Sequence, residues 1–307
     1  MTPRTNEFQK PLEEIIKLKA KHLELDLCGI AMVNEVNTVE HLRKWVSFGY
    51  HAQMSWFEKS VDIRAEIKRW YPNAESVIVV GKDYYHNCDI SQIALYAHTK
   101  DYHEDIKSKL NNLATFISTI VDRFEYKISV DTGPIHEKSW AIRAGLGWQG
   151  KNTLIINPEL GSWCLIGILA TNIKLKPDPI VSYECGNCSI CIEACPTQAI
   201  HREGILDCNK CISYHTIENK SEIPDTIKSK IKTTIFGCDI CQRVCPWNKK
   251  RKIKTNYDCN LATCLKEKDL YKIGEHEFIE LFSELPIKRI EFNGFKRNIA
   301  IYQKNKE

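Results

Sequence analysis

The sequence predicts an α+β protein: a mixed α/β region first, a cysteine-rich region second and a short helical C-terminus last. Three observations predict it. Amphipathic helical stretches alternate with short apolar strands as far as Ala170. Beyond LKPDPIVSYE (residues 175–184) that periodicity fades and cysteines take over. From Tyr257 onward the pattern turns helical and mixed again. The expected domains are therefore 1–178, 179–256 and 257–307.

In the first region, Leu12, Ile15, Ile16, Ala20 and Leu23 recur at helical spacing and predict a helix over 9–25. A second helix is expected from Val39 to Phe48, stopped by Gly49. SVIVVG (76–81) reads as a short apolar strand. The stretch 103–124 carries an apolar stripe of Leu110, Leu113, Phe116, Ile117, Ile120 and Val121 and predicts a long helix. YKISVD (126–131), TLIINP (153–158) and SWCLIGILA (162–170) read as strands. Periodicity alone does not order them.

At 307 residues, 43% hydrophobic and 27% charged, the chain can bury a sizeable core and has an ordinary soluble composition. A formal charge of +4 permits a nucleic-acid partner without arguing for one. The start, MTPRTNEFQKPLEEIIK, has no apolar signal core, and no apolar run reaches membrane-spanning length. A cytoplasmic protein is expected. KKRKIK (249–254) is the one marked basic run, read first as a solvated stretch.

Nine of the 14 cysteines lie between Cys185 and Cys245. In a reducing compartment such density points to metal ligation rather than disulfides. ECGNCSICIEACP places Cys185, Cys188, Cys191 and Cys195 in the CxxCxxCxxxCP spacing of bacterial ferredoxins. Three cysteines at every third position wrap a tight loop, so their thiolates converge on one [4Fe–4S] cube. The fourth is carried away to ligate a neighbouring cube. FGCDICQRVCP repeats the logic with Cys238, Cys241 and Cys245. The expected ligands are Cys185, Cys188, Cys191 and Cys245 for one cluster. For the other they are Cys195, Cys238, Cys241 and either Cys208 or Cys211, between which spacing does not choose. A ferredoxin-like two-cluster domain follows. Structural zinc sites seldom show a compact triple CxxCxxC with a trailing CP.

DTGPIHEKSWAIRAGLGWQGKN (131–152) begins at a strand end and closes with glycines 145, 147 and 150. It lacks the order and context of a dinucleotide fingerprint. Its GxxxxGK is followed by Asn152, where a phosphate loop needs Ser or Thr. Asp131 is a candidate general acid, with a helix cap or surface turn as the plain alternative; His136 and Glu137 are catalytic or merely exposed.

Nearly the whole chain resembles the epoxyqueuosine reductase family. VDTGPIHEKSWAIRAGLGWQGKNTLI is similar to the family's central block, and CISYHTIE and FGCDICQRVCPWN to its second cluster region. The resemblance implies base-off cobalamin in an N-terminal α/β domain, beside two [4Fe–4S] clusters fed by an external low-potential donor. It implies a monomer acting on the wobble base of tRNAs with a GUN anticodon, those for aspartate, asparagine, histidine and tyrosine. The epoxide oxygen leaves as water. By resemblance the proton donor is Asp131, and Trp148, Lys151 and Asn152 line the corrin. Ser213, Tyr214 and Thr216 lie near the cofactor, and Cys211 rather than Cys208 is the ligand. Many members continue into a C-terminal helical-repeat domain, of which GFKRNIAIYQKN resembles only the beginning. A short form is expected, with KKRKIK gaining weight as a tRNA contact. Two other readings fit the same residues: a corrinoid and iron–sulfur reductase of a small molecule, as in dehalogenases, or an electron-transfer module without catalysis.

Overall fold

A computed structural model of the chain describes residues 10–34, 39–87, 92–251 and 270–306. Cys88, Cys259, Cys264 and the last three residues of KKRKIK lie outside the described residues. The first region runs α1 (Leu12–His22), β1 (Leu27–Met32), α2 (Val39–Ser47), α3 (Ser55–Ala65), α4 (Ile67–Trp70) and β2 (Ser76–Asp83). Then come α5 (Tyr102–Ser118), β3 (Tyr126–Ser129), α6 (Glu137–Arg143), β4 (Trp148–Gln149), β5 (Ile155–Ile156) and β6 (Cys164–Thr171).

Four strands form an antiparallel sheet in the order β1-β2-β6-β3. Side chains alternate faces along each strand, and here both faces are covered. Ile30, Ile78, Val80 and Leu169 pack against Ile16 and Ala20 of α1 and Ile106, Leu110, Leu113 and Ile117 of α5. Ala31, Val77, Val79, Ile168 and Ala170 pack against Trp140 and Ala141 of α6. Double burial explains why SVIVVG reads as continuously apolar.

Helix α5 stops at Ser118, short of the expected Phe124. Ser118 and Thr119 turn their hydroxyls back onto the carbonyls of Thr115 and Phe116, each at 2.7 Å, competing with the helical ladder. Ile120 is then left 47% exposed. Helix α3 has no fully buried residue and so no stripe for the sequence to announce.

The cysteine-rich region is built from one- to two-turn helices: α7 (Ile190–Glu193), α8 (Ile212–Ile217), α9 (Asp225–Lys228), α10 (Ile240–Arg243) and α11 (Pro246–Lys249). A small hairpin, β7 (Ile200–Arg202) and β8 (Ile205–Leu206), lies between α7 and α8. The C-terminal helices Glu275–Phe282 and Glu291–Lys304 share a core with Ile93, Ala97, Ile235 and Phe236, so this core draws on all three expected regions. Buried Asn298 donates to the carbonyls of Thr216 and Ile235, both at 2.9 Å.

Within the basic run, Lys249 and Lys250 are exposed, but Arg251 is not. It pairs with Asp83 at the end of β2, the two side chains being 2% and 0% exposed. It also donates to Leu160 O at 2.8 Å and lies over the Tyr85 ring. Arg251 thus ties the cysteine-rich region to the sheet, against the expectation of a solvated stretch.

Candidate functional site

The nine clustered cysteines sit on tight turns and helix ends. The Cys188 N–H donates to Cys185 O at 3.1 Å across Gly186, whose φ of +53° suits glycine. Pro246 opens α11 directly after Cys245, where no amide donor is needed.

Several of these cysteines feel one another's charge. Burial first, then Cys185, Cys245 and Cys188, push the Cys191 thiol up to about 11. Cys245 is raised by burial and then by Cys185 and Cys188. Burial pushes Cys238 to about 12, with Cys211 and Cys195 adding to it. Cys241 is raised by burial, then Cys238 and Cys211, with Cys191 and Cys195 behind them. A first group, Cys185, Cys188, Cys191 and Cys245, lines one cavity; beside it Cys195, Cys211, Cys238 and Cys241 feel one another, and Cys241 also feels Cys191. Cys208 feels Cys211 but none of the other three; it is buried among Met54 and Tyr214, and its amide donates to Tyr50 O at 2.9 Å. Among the described residues no three His, Cys, Asp or Glu side chains converge closely enough for one metal ion. Four soft thiolates around an open space suit a larger inorganic core.

The first group lines a cavity of about 280 Å³ together with Lys151, Asn152 and Trp247. This is where the glycine-rich stretch leads. Gly147 passes so close to β5 that an added Cβ would lie 2.1 Å from Ile156 O, which is why a glycine stands there. Trp148 meets Trp247 edge-to-face at 4.8 Å between centroids and shares an apolar cluster with Cys245 and Cys185. Lys151 Nζ pairs with Glu203 at 2.6 Å and feels Cys185 and Cys188.

A second cavity, of about 800 Å³, opens between the sheet, α8 and the C-terminal region. Asp131, Cys211, Ser213 and Tyr214 all line it. Trp70, Tyr96 and Tyr102 give it aromatic walls, and buried Ser129 offers it a hydroxyl with no partner. Trp148, Lys151 and Asn152 are not on this cavity. Thr216 is fully buried, donating to Ile212 O at 2.8 Å and accepting from Gly237 N–H at 3.0 Å, a structural tie rather than a lining group.

Asp131 has φ +58°, an uncommon value for a residue with a side chain. Glu137 at the start of α6 accepts the Asp131 N–H at 2.7 Å. His103 Nε2 lies 3.2 Å from Asp131 Oδ2, and its Nδ1 lies 2.6 Å from Asp101. Burial would raise the Asp131 carboxyl, but the His103 hydrogen bond and charge, with Arg289 and Arg64, bring it below the usual range. Burial favours neutral His103, yet Asp131 and Asp101 outweigh it and raise its pKa. Burial, then the charge of Asp131, pushes Glu137 up to about 8. His136 is pushed down to about 4 by burial and then by Lys138 and Arg64, so it is neutral. The carboxylate form of Asp131 is thus favoured, as is the protonated form of His103 beside it, and Glu137 holds a proton close by. Sequence reasoning missed Asp101 and His103. Their one signal was DYHED at a helix start, where Asp101 caps α5 by accepting the His103 N–H.

A cysteine-rich redox domain joined to a large cavity with proton-bearing side chains defines an iron–sulfur oxidoreductase. A family model described as "4Fe-4S double cluster binding domain" matches residues 184–248, and one described as "Epoxyqueuosine reductase QueG, DUF1730" matches residues 64–132. Epoxyqueuosine reductase of Synechocystis sp. is 41% identical over 286 residues, covering 88% of this chain and 98% of its own. The crystal structure of epoxyqueuosine reductase with a tRNA-Tyr epoxyqueuosine-modified stem loop superposes with TM-score 0.85 at 28% identity, over 96% of this chain and 81% of that one. The Bacillus subtilis enzyme, with its catalytic aspartate loop swung out of the active site, gives TM-score 0.86 at 27% identity over the same shares. The chain belongs to the epoxyqueuosine reductase family. No helix among the described residues is long and apolar enough to cross a membrane.

Proposed function

We propose that the chain reduces epoxyqueuosine at the wobble position of GUN-anticodon tRNA, in the second cavity, taking electrons from an external low-potential donor. The observation that carries this is the meeting of Asp131, Ser213, Tyr214 and Cys211 on one cavity. In this reading Cys185, Cys188, Cys191 and Cys245 hold one [4Fe–4S] cluster, and Cys195, Cys211, Cys238 and Cys241 the other. Base-off cobalamin fits the second cavity, where flat aromatic walls and the unpartnered Ser129 hydroxyl suit a large ring ligand. Trp148, Lys151 and Asn152 then serve the first cluster rather than the corrin.

These cofactors supply the two electrons; the chain supplies the protons. Opening an epoxide to an alkene and water takes two electrons and two protons. Asp131 faces the cavity and passes the first proton from His103 to the departing oxygen. Tyr102, stacked on His103 at 4.1 Å, and Asp101 hold that ring in place. Glu137 keeps a second proton against the Asp131 backbone. Exposed Lys107, Lys127, Lys288 and Arg289 around the cavity meet tRNA phosphates, while the wobble base, already unpaired, enters with little cost.

The test is anaerobic turnover of epoxyqueuosine-containing tRNA by cluster-reconstituted protein, with and without cobalamin, the nucleosides read by mass spectrometry. Cobalamin-dependent loss of one oxygen is expected. Full cofactor occupancy without product overturns the reading.

A further inference from the structure

Two buried donors beside the first cysteine group have no acceptor. Trp148 is 6% exposed and Asn152 4%, and neither Trp148 Nε1 nor Asn152 Nδ2 has a hydrogen-bond partner. Asn152 Oδ1 already accepts the Leu154 N–H at 3.3 Å, which fixes the amide so that its NH₂ faces away from that loop. Asn152 lines the cavity with all four cysteines of the group, and Trp148 stands next to it in one apolar cluster with Cys185, Cys245 and Trp247. A buried N–H left without a partner is costly, so two beside one small thiol-lined cavity point to an acceptor that fills it. The first group's thiolate sulfurs and the inorganic sulfides of a cube are acceptors, and such bonds stabilise the reduced, more negative core.

We infer that Trp148 Nε1–H and Asn152 Nδ2–H donate hydrogen bonds to sulfur of the first cluster and raise its reduction potential. The inference rests on the reading that Cys185, Cys188, Cys191 and Cys245 hold that cluster. It gives the GLGWQGKN stretch a task that neither the corrin nor a phosphate would. Cys185 and Cys188 lie near the surface, beside exposed Gly186, whereas Cys211 opens on the second cavity. The first cluster is therefore the point of electron entry, and lifting its potential makes it the easier one to reduce from outside.

The experiment is a potentiometric titration of both clusters, followed by electron paramagnetic resonance, in the parent, Trp148→Phe, Asn152→Ala and Tyr183→Leu. Tyr183 lies 5.7 Å from Trp148 between ring centroids, does not line the cavity and controls for repacking. Trp148→Phe and Asn152→Ala should each lower the first midpoint and leave the second unmoved; Tyr183→Leu should move neither. An unmoved first midpoint in both donor variants, or an equal shift in Tyr183→Leu, overturns the inference. Should a variant fail to assemble, parent protein carrying ¹⁵N-indole tryptophan decides. A ¹⁵N coupling to the reduced first cluster is expected, and its absence removes Trp148 from the proposal. The iron content of Cys188→Ala tests the underlying reading separately: iron equal to the parent's would mean that no cluster sits there.

Discussion

His103 stands 3.2 Å from Asp131 although 28 positions separate them, and the pairing favours the proton on the ring over the carboxylate. His103→Gln should therefore lower kcat by about 10²-fold with the KM for tRNA little changed. The parent's turnover should fall as pH rises through the raised His103 pKa, above the ordinary histidine value of about 6.5. That limb should vanish in the variant. Stability should change by no more than roughly 1 kcal/mol, because Asp131 is 53% exposed. Its histidine share is full below the unfolded pKa and fades as pH rises through the folded one. A kcat–pH profile in which His103→Gln matches the parent removes His103 from the proton path.

Glu137 carries the opposite sign. With its pKa raised from 4.5 to about 8, the folded protein holds a proton that the unfolded chain gives up between those values. Stability therefore falls as pH rises across that window. Glu137→Gln keeps an oxygen for the Asp131 N–H and removes the charge. It should match the parent at pH near 4 and be roughly 1–2 kcal/mol more stable above about pH 8, a figure kept low because Glu137 is only partly buried. Thermal melts at the two pH values check this, and equal differences at both would show that Glu137 ionises normally.

Cys211 and Cys208 should separate cleanly. Cys211→Ala should lose about half of the iron, since one of two equal clusters goes. Cys208→Ala should keep all of it, its thiol feeling only Cys211 among the cysteines. Iron and sulfide assays on the two purified variants decide; equal values sink the assignment.

Gly161 lies at φ +66°, and an added Cβ would stand 2.0 Å from Asn248 Oδ1. That oxygen accepts the Ser162 N–H at 2.7 Å, and the Asn248 amide donates to Gln242 O at 2.7 Å, which fixes the segment after Cys245. Gly161→Ala should destabilise by about 3 kcal/mol and loosen the first cluster. Chemical denaturation together with the visible absorbance of the reconstituted protein measures both. An unchanged midpoint would mean that the Asn248 amide moves aside freely.

Much of this was legible before any coordinates. The CxxCxxCxxxCP spacing carries the cluster chemistry because ligand convergence is a local property of a tight loop. The choice of Cys211 came only from the family resemblance, since two cysteines three residues apart are equivalent in spacing. GLGWQGKN shows the limit: its glycines announced a close approach, and the fold decides that the approach is to β5 and the first cysteine cavity. Asp101 and His103 were not legible. They precede β3, whose end leads into Asp131, and only the packing of α5 on the sheet brings them to it.

The interleaving of the two cysteine groups bears on how the protein is made. In the proposed ligand sets Cys195 waits for Cys211, Cys238 and Cys241, while Cys185, Cys188 and Cys191 wait for Cys245. In that reading a growing chain carries an incomplete three-thiolate set until Cys245 leaves the ribosome. Both sites then close within four residues of each other, at Cys241 and Cys245. On those ligand sets neither centre can be completed until late in synthesis, and a chain stopped before Cys245 lacks both the fourth ligand of the first centre and Arg251, which ties that region to the sheet.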